Sequence, residues 1–236
     1  MSETKSRQIT DAQEGIHKNL ERIVSKHLQH RYQKPIAQHT QIAFDKIKPI
    51  VDTALQQGKP LIFDSCCGTA MSTVLIAQQN QDALVIGIDR SAVRLGKDYN
   101  QKLPENTHLV QAECADFWRL ANQQGWKLHK HTILYPNPYP KSKHLQRRWH
   151  GHPAFSSLLA LGGELELRTN WKVYADEFYA AVNLAKKGRL DSNGVECFEV
   201  QNPLTLFEKK YHNAGQKLYR CIISLTDTST CSKATL

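Results

Sequence analysis

The sequence predicts an α/β fold of the doubly wound kind. Between residues 61 and 168, short apolar runs alternate with stretches of helical periodicity, the pattern of repeated βαβ units around a parallel sheet. Three of those runs end in or beside an acidic residue, where open α/β sheets present groups to a ligand. The chain has 236 residues, 40% of them hydrophobic, enough for one sizeable core with extensions but not for two full-sized domains.

From Asp11 to about Gln33, Ile16, Leu20, Ile23, Val24 and Leu28 recur at helical spacing among His, Lys and Arg, predicting a basic amphipathic helix that reads as an appendage. A second helix is expected from Ile36 to Gln57, ended by Gly58 and Pro60. Strands follow at Leu61–Asp64, Leu84–Asp89, His108–Gln111, Thr132–Tyr135 and Glu164–Arg168, with helices at Met71–Gln79, Ser91–Tyr99, Asp116–Gln123 and Pro153–Leu161. Trp171–Lys187 reads as a further amphipathic helix and Lys217–Leu225 as a final strand. Glu164-Leu165-Glu166-Leu167-Arg168 alternates charged and apolar residues, so that strand is expected to have a wet face. These elements divide the chain into an N-terminal basic helical extension (1–58), a catalytic-type domain (59–226) and a Thr-, Ser- and Lys-rich tail (227–236) expected to fray.

Composition narrows the function. No stretch approaches the roughly 20 apolar residues of a membrane span, and Met1–Thr10 is polar and charged, so a cytoplasmic protein without membrane association is expected. Six cysteines lack paired metal-ligand or disulfide spacing and are expected to be free thiols. His129-Lys130-His131 and His150-Gly151-His152 have no Cys or carboxylate partner at ligand spacing, so no metal site is expected. The formal charge of +9 favours polyanionic partners.

Three loops carry candidate cofactor contacts. Asp64-Ser65-Cys66-Cys67-Gly68-Thr69-Ala70 runs from a strand through small residues into a helix, which lets backbone approach a ligand at Cys66 and Gly68. Asp89 ends the next strand, where a carboxylate can accept two hydrogen bonds from ribose hydroxyls. Glu113 closes the third and can accept from an adenine amino group. Each alone fits a turn, a helix cap or a solvated charge; together, at successive strand ends, they point to a nucleoside-containing cofactor. The fuller G-x-G-x-x-G pattern of a nicotinamide enzyme is missing.

The fourth strand leads into Tyr135-Pro136-Asn137-Pro138-Tyr139-Pro140-Lys141-Ser142-Lys143-His144-Leu145-Gln146-Arg147-Arg148-Trp149. Three prolines stiffen the backbone around Asn137, and Lys141, Lys143, His144, Arg147 and Arg148 follow among aromatic residues, suited to phosphates and a stacked base. This loop resembles that of the bacterial tRNA (guanine-N7)-methyltransferase family, F-P-D-P-W-x-K-x-x-H-x-K-R-R. Arg168-Thr169-Asn170-Trp171 is similar to the family's A-T-D-W and Thr205-Leu206-Phe207-Glu208 to its T-K-[FY]-E. With the cofactor loops the resemblance covers about Leu61 to Leu225; the first two helices look less like the family.

The resemblance implies a Rossmann-like methyltransferase sheet, mostly parallel with an antiparallel C-terminal strand, behind N-terminal helices. It implies S-adenosylmethionine as cofactor, held by Asp64, Cys66, Gly68, Asp89 and Glu113, and tRNA as partner, with a monomer favoured. It places Asn137 at the family's catalytic, cofactor-proximal aspartate, and Lys141, His144, Arg147, Arg148, Asn170 and the segment from Thr205 to Glu208 toward the substrate. Two departures fall nearest the chemistry. Asn137 and Asn170 replace signature aspartates, and Cys66 and Ala70 stand where the family usually has glycine. Guanine N7 carries a lone pair and no proton, so its methylation needs alignment and desolvation rather than an obligatory base. Asn137-Pro138-Tyr139 also resembles the N-P-P-Y loop of amino-group methyltransferases. Guanine-N7 transfer, transfer to another RNA-base position and a catalytically weak RNA-binding relative all remain open at the level of sequence.

Overall fold

The computed structural model describes residues 12–97, 103–190 and 194–226. Two helices come first, α1 (Leu20–Gln29) and α2 (Gln38–Gln56). Alternation then begins with β1 (Leu61–Ser65), α3 (Met71–Gln79), β2 (Leu84–Asp89), the single turn α4 (Ala92–Leu95), β3 (Thr107–Gln111), α5 (Cys114–Gln123) and β4 (Lys130–Leu134). A 3₁₀ segment, Ser142–Arg147, precedes α6 (Phe155–Ala160), β5 (Glu164–Thr169), α7 (Lys172–Ala185), β6 (Glu196–Phe198), α8 (Leu206–Asn213) and β7 (Leu218–Ser224).

Among the described residues the strands form one seven-stranded sheet in the order β3-β2-β1-β4-β5-β7-β6. The first five run parallel, whereas β7 lies antiparallel to β5 and β6 antiparallel to β7. Strand order reverses between β1 and β4, which opens a crevice beyond their carboxyl ends. Every residue of β1 and β2 is buried, as apolar runs covered on both faces should be. Gly87 in β2 is sterically required: a Cβ there would lie 2.7 Å from Thr73 Oγ1 and 2.8 Å from Leu109 Cδ2.

Several expectations need correction. The first helix is shorter than anticipated and is no appendage. Leu20, Ile23 and Val24 of α1, with Phe44, Ile47 and Val51 of α2, join the same apolar cluster as Phe63 and Ile86 in the sheet, and Phe44 stacks on Trp126 at 4.8 Å. The division at residue 58 therefore separates no independent core; Ile16, by contrast, is exposed. The wet face of β5 is confined to its start, where Glu164 is exposed. Leu165 and Leu167 are buried, and Glu166 on the other face is buried with Lys130 Nζ at 2.8 Å and Arg168 Nε at 2.6 Å. Charge compensation lets the alternating strand sit inside the sheet. The helix expected over Ser91–Tyr99 is the short α4, with 98–102 outside the described residues, as is the expected tail at 227–236. Strand β6, helix α8 and the 3₁₀ segment were not anticipated.

Among the described residues, no helix is long and apolar enough to cross a membrane. Cys66, Cys67, Cys114, Cys197 and Cys221 are free thiols.

Candidate cofactor and substrate site

The crevice holds a cavity of about 880 Å³, walled by the loops that follow β1 to β4 and by the start of α8. Of the residues expected to meet a cofactor, Cys66, Gly68, Asp89, Glu113 and Asn137 line it; of those expected to meet a substrate, Arg147 and Thr205 do.

The loop after β1 is built on left-handed backbone at every second residue: Cys66 at φ 62°, Gly68 at 61° and Ala70 at 62°. This turns the chain sharply along the cavity wall, at a steric cost of roughly 1–2 kcal/mol for each non-glycine residue. Gly68 N donates to Asp89 Oδ2 at 3.0 Å, and Cys67 N to the Ile88 carbonyl at 3.1 Å, so the loops after β1 and β2 are joined.

Asp64 does not reach the cavity. It lies fully buried beneath the loop, accepting from Ser72 Oγ at 2.6 Å, Thr73 Oγ1 at 2.7 Å and Thr132 Oγ1 at 2.9 Å. Burial raises its carboxyl above the usual range, against the three hydroxyl bonds. Its expected cofactor contact is corrected to an anchoring one: it ties the start of α3 to β1 and β4.

Asp89 does face the cavity. Its Oδ1 accepts from Ser91 N at 2.8 Å and from the half-exposed Arg94 at 2.9 Å. Glu113, one loop further, precedes α5, and its backbone N–H donates to Thr40 Oγ1 at 3.0 Å, so α2 positions this loop.

Opposite these acids stands the loop after β4. Tyr135 and Tyr139 hold φ of 51° and 44°, sparsely populated for residues with a Cβ and kept only where surroundings over-determine them. Here Tyr135 N donates to the Arg168 carbonyl at 2.8 Å, and Arg148 donates to the Tyr139 carbonyl through Nε at 3.2 Å and Nη2 at 3.0 Å. Asn137 is exposed between them, its Oδ1 accepting from Tyr139 N at 3.3 Å. The Arg147 guanidinium lies 5.8 Å from the centre of the Tyr139 ring.

Some expected substrate residues lie elsewhere. Arg148 is fully buried and ion-paired to Glu177, so it presents nothing to a phosphate. Glu208 is fully buried as well: Oε1 accepts from the Tyr135 hydroxyl at 3.0 Å and Arg168 at 3.1 Å, and Oε2 from Leu204 N at 2.6 Å, leaving no free edge for a base. Both expectations are corrected by the same physics, since a buried charge keeps the partners that satisfy it. Lys141 and His144 are outside the cavity wall, and Asn170 Nδ2 donates to Gln216 at 2.9 Å away from it. Thr205 caps α8, its Oγ1 accepting from Glu208 N at 2.9 Å.

The cavity also includes residues that sequence reasoning passed over. Tyr32 and Lys34 arrive from the segment between α1 and α2, and Lys210 from α8; Leu206 and Phe207, in the Thr205–Glu208 segment that the resemblance puts toward the substrate, also line it. Leu206 and Phe207 are large apolar side chains 44% and 50% exposed at the mouth, with Phe207 stacked on Tyr211 at 6.1 Å. Phe207 lay inside a motif already noticed; its exposure was not legible there. Arg90, Arg94 and Lys97 add positive charge near Asp89.

The histidine pairs are dispersed. His131 is buried against Ser65, His150 against Glu177, and His152 packs edge-on to Tyr32. Among the described residues no cluster of three or more His, Cys, Asp or Glu is arranged to hold a metal.

The arrangement suits transfer between two bound partners. Small residues and two carboxylates form one wall for a nucleoside, a rigid asparagine loop forms the other, and an apolar and cationic mouth can admit a stacked, phosphate-bearing substrate.

Comparison with known proteins agrees. Residues 58–221 match the model of a protein family described as "Putative methyltransferase". The tRNA (guanine-N(7)-)-methyltransferase of Stutzerimonas stutzeri is 30% identical over 176 residues, 71% of this chain and 74% of that protein. The enzyme of the same name from Mycoplasma genitalium is 29% identical, over 65% of this chain and 78% of the other. That from Saccharophagus degradans is 27% identical, over 77% and 87%. Among solved structures, the 16S rRNA methyltransferase KamB superposes with a TM-score of 0.56 at 14% identity, covering 75% of this chain and 93% of that one. An antibiotic-related methyltransferase superposes at 0.54 with 16% identity, covering 74% and 92%. At these identities the structural likeness speaks to the fold alone.

Proposed function

The chain belongs to the tRNA (guanine-N(7)-)-methyltransferase family, and from that premise we propose that it transfers the methyl group of S-adenosylmethionine to N7 of a guanine in tRNA. The observation that carries the reading is that Asn137 lines one cavity together with Asp89 and Glu113 and with Phe207 and Arg147. The cofactor would lie along the β1–β3 loops. Asp89 would accept from the ribose hydroxyls once the Arg94 side chain swings away, and Glu113 from the adenine amino group. The left-handed turn at Cys66–Ala70 would present backbone to the methionine part.

Bound there, S-adenosylmethionine supplies an electrophilic methyl on a sulfonium. Guanine N7 attacks with its lone pair and loses no proton, so an asparagine at position 137 does not remove a required base. The work of this chain is alignment and exclusion of water. Asn137, pinned through Oδ1 to Tyr139 N, would orient the base edge; Phe207 would stack on it, and Arg147 and Lys210 would meet the backbone phosphates. The +9 charge supports a polyanionic partner. This reading goes with a cytoplasmic monomer that uses no metal, the methyl donor already being activated. It also treats residues 59–226 as the catalytic unit, with the preceding helices packed on it as structural support.

The test is incubation with radiolabelled S-adenosylmethionine and bulk tRNA, followed by nucleoside analysis. Labelled 7-methylguanosine is expected. A different labelled nucleoside would reassign the base, and absence of label despite cofactor and tRNA binding would overturn catalysis.

A further inference from the structure

The segment just before α1 reaches into the loop that carries Asn137. Gln13 N donates to the Pro140 carbonyl at 2.9 Å. The Gln13 carboxamide bridges two buried charges, its Nε2 donating to Glu177 Oε1 at 2.6 Å and its Oε1 accepting from Arg148 Nη1 at 3.1 Å. His17 N donates to the same Glu177 Oε1 at 2.8 Å. Arg148 in turn spends its remaining donors on the loop, with two bonds to the Tyr139 carbonyl and one from Nη2 to the Lys141 carbonyl at 3.3 Å. Its guanidinium lies 4.8 Å from the centre of the Trp171 ring.

Arg148, Glu177 and His150 are each fully buried. Burying an ion pair in place of apolar residues seldom adds stability, so its retention calls for another reason. Burial opposes ionisation of Glu177, but the hydrogen bond from His150, the Arg148 guanidinium and the Gln13 carboxamide hold its carboxyl down to about 2. His150 Nε2 donates to Glu177 Oε2 at 2.9 Å, and burial lowers the pKa of its ring against the pull of that carboxylate. The cluster connects three parts distant in sequence: the start of the described chain, helix α7 and the loop around Asn137. Tyr139, whose carbonyl it grips, has left-handed backbone at φ 44° and also fixes the Asn137 side chain through its N–H.

We propose that Gln13, Arg148 and Glu177 form a positioning clamp that sets the Asn137 loop for methyl transfer, making residues 13–17 a working part of a site whose matched family region begins at residue 58. The catalytic meaning of the clamp rests on the function proposed above; its hold on the loop does not. None of the three touches the reacting atoms. Their effect is to remove loop conformations in which Asn137 is misplaced, and such misplacement lowers turnover while leaving the distant Asp89 and Glu113 contacts intact.

Gln13→Ala removes the bridge while leaving the Arg148–Glu177 pair, and Arg148→Lys keeps a buried cation for Glu177 but lacks the fork that holds two carbonyls. In the full chain, each is expected to lower kcat about tenfold, the loss matching about one bond to a charged group. KM for S-adenosylmethionine should stay within about twofold, since the Asp89 wall is untouched. Hydrogen exchange of a peptide covering residues 137–145 should accelerate about tenfold, with β1 to β4 unchanged. Unchanged exchange in that peptide, or a fall in kcat accompanied by equal loss of protection across the sheet, overturns the clamp. If the unaltered chain transfers no methyl group, the proposed function fails, while the exchange comparison still decides whether the clamp holds the loop.

Discussion

The hydroxyl of Tyr135 donates to Glu208 Oε1 at 3.0 Å, joining the loop that carries Asn137 to the helix that carries Phe207. One buried bond thereby links the two walls of the cavity mouth. Tyr135→Phe removes the donor but leaves Glu208 its bonds to Arg168 and Leu204 N, so a loss of about 1 kcal/mol is expected in urea unfolding. Glu208→Ala should cost more, because Arg168 then keeps only Glu166. Equal effects of the two changes would show that the Tyr135 bond dominates.

Cys66 and Ala70 occupy left-handed backbone in which glycine is unstrained. Gly also carries a larger entropy cost in the unfolded chain, so Ala70→Gly should stabilise by only about 0.5–1 kcal/mol net. Denaturant midpoints at constant m-value measure this, and a lower midpoint would show that Cβ contacts at Ala70 outweigh its strain.

Arg94 occupies the carboxylate that the cofactor ribose would use. Its side chain is 44% exposed, and exposed ion pairs contribute up to about 1 kcal/mol, so Arg94→Ala should tighten S-adenosylmethionine binding up to about fivefold. Asp89→Ala should weaken it by at least about tenfold through loss of two charge-assisted bonds. Calorimetric titration of both variants decides. Weaker binding in the Arg94 variant would make that arginine a contact instead of a competitor.

Burial holds the His131 imidazole down to about 3, whereas an unfolded histidine titrates near 6.5. The folded state thus prefers the neutral ring, so this stabilisation is complete above pH ~6.5 and is lost as pH falls toward 3. For one proton the slope is about 1.4 kcal/mol per pH unit, or roughly 2 kcal/mol between pH 6.5 and 5. His131→Gln should remove one proton's worth of that slope in unfolding measured at pH 5 and 7. His152, brought to about 4 mainly by burial, should retain its own share.

Arg147 and Arg148 are neighbours with opposite fates. Arg147→Ala should weaken tRNA binding and reduce its salt dependence by about one unit of slope without loss of fold. Arg148→Ala leaves Glu177 buried without its cation and should destabilise by about 3–5 kcal/mol. Salt titrations for the first and unfolding curves for the second separate the roles; a salt-slope change confined to Arg148 would reverse them.

Much of this was legible from residue order. The alternation from Leu61 to Arg168 defines the parallel sheet because a strand covered on both faces must be apolar throughout, and acids at Asp89 and Glu113 fall at strand ends whatever the packing. The loop around Asn137 was recognisable because proline fixes backbone locally. Less legible were the charges within the basic and acidic runs. Arg148, within the basic run, and Glu208, within the motif that resembles the family's, read as substrate contacts, yet both lie at 0% exposure.

What the sequence determined by itself was whatever depends on local stereochemistry and periodicity: the strands, the strand-end loops and the class of cofactor those loops suit. Tertiary structure alone decided which polar groups face the cavity and which close the interior. The 3₁₀ segment ends at Arg147 and the backbone turns extended at Arg148, so Arg147 points to the Tyr139 ring at the cavity while the next residue meets Glu177 of α7. Gln13 and Glu177 lie 164 positions apart, and their contact exists only because α1 packs its apolar face on the core and brings the segment before it to the loop. No local pattern encodes such a meeting; it follows from where the buried apolar surface forces the chain to go.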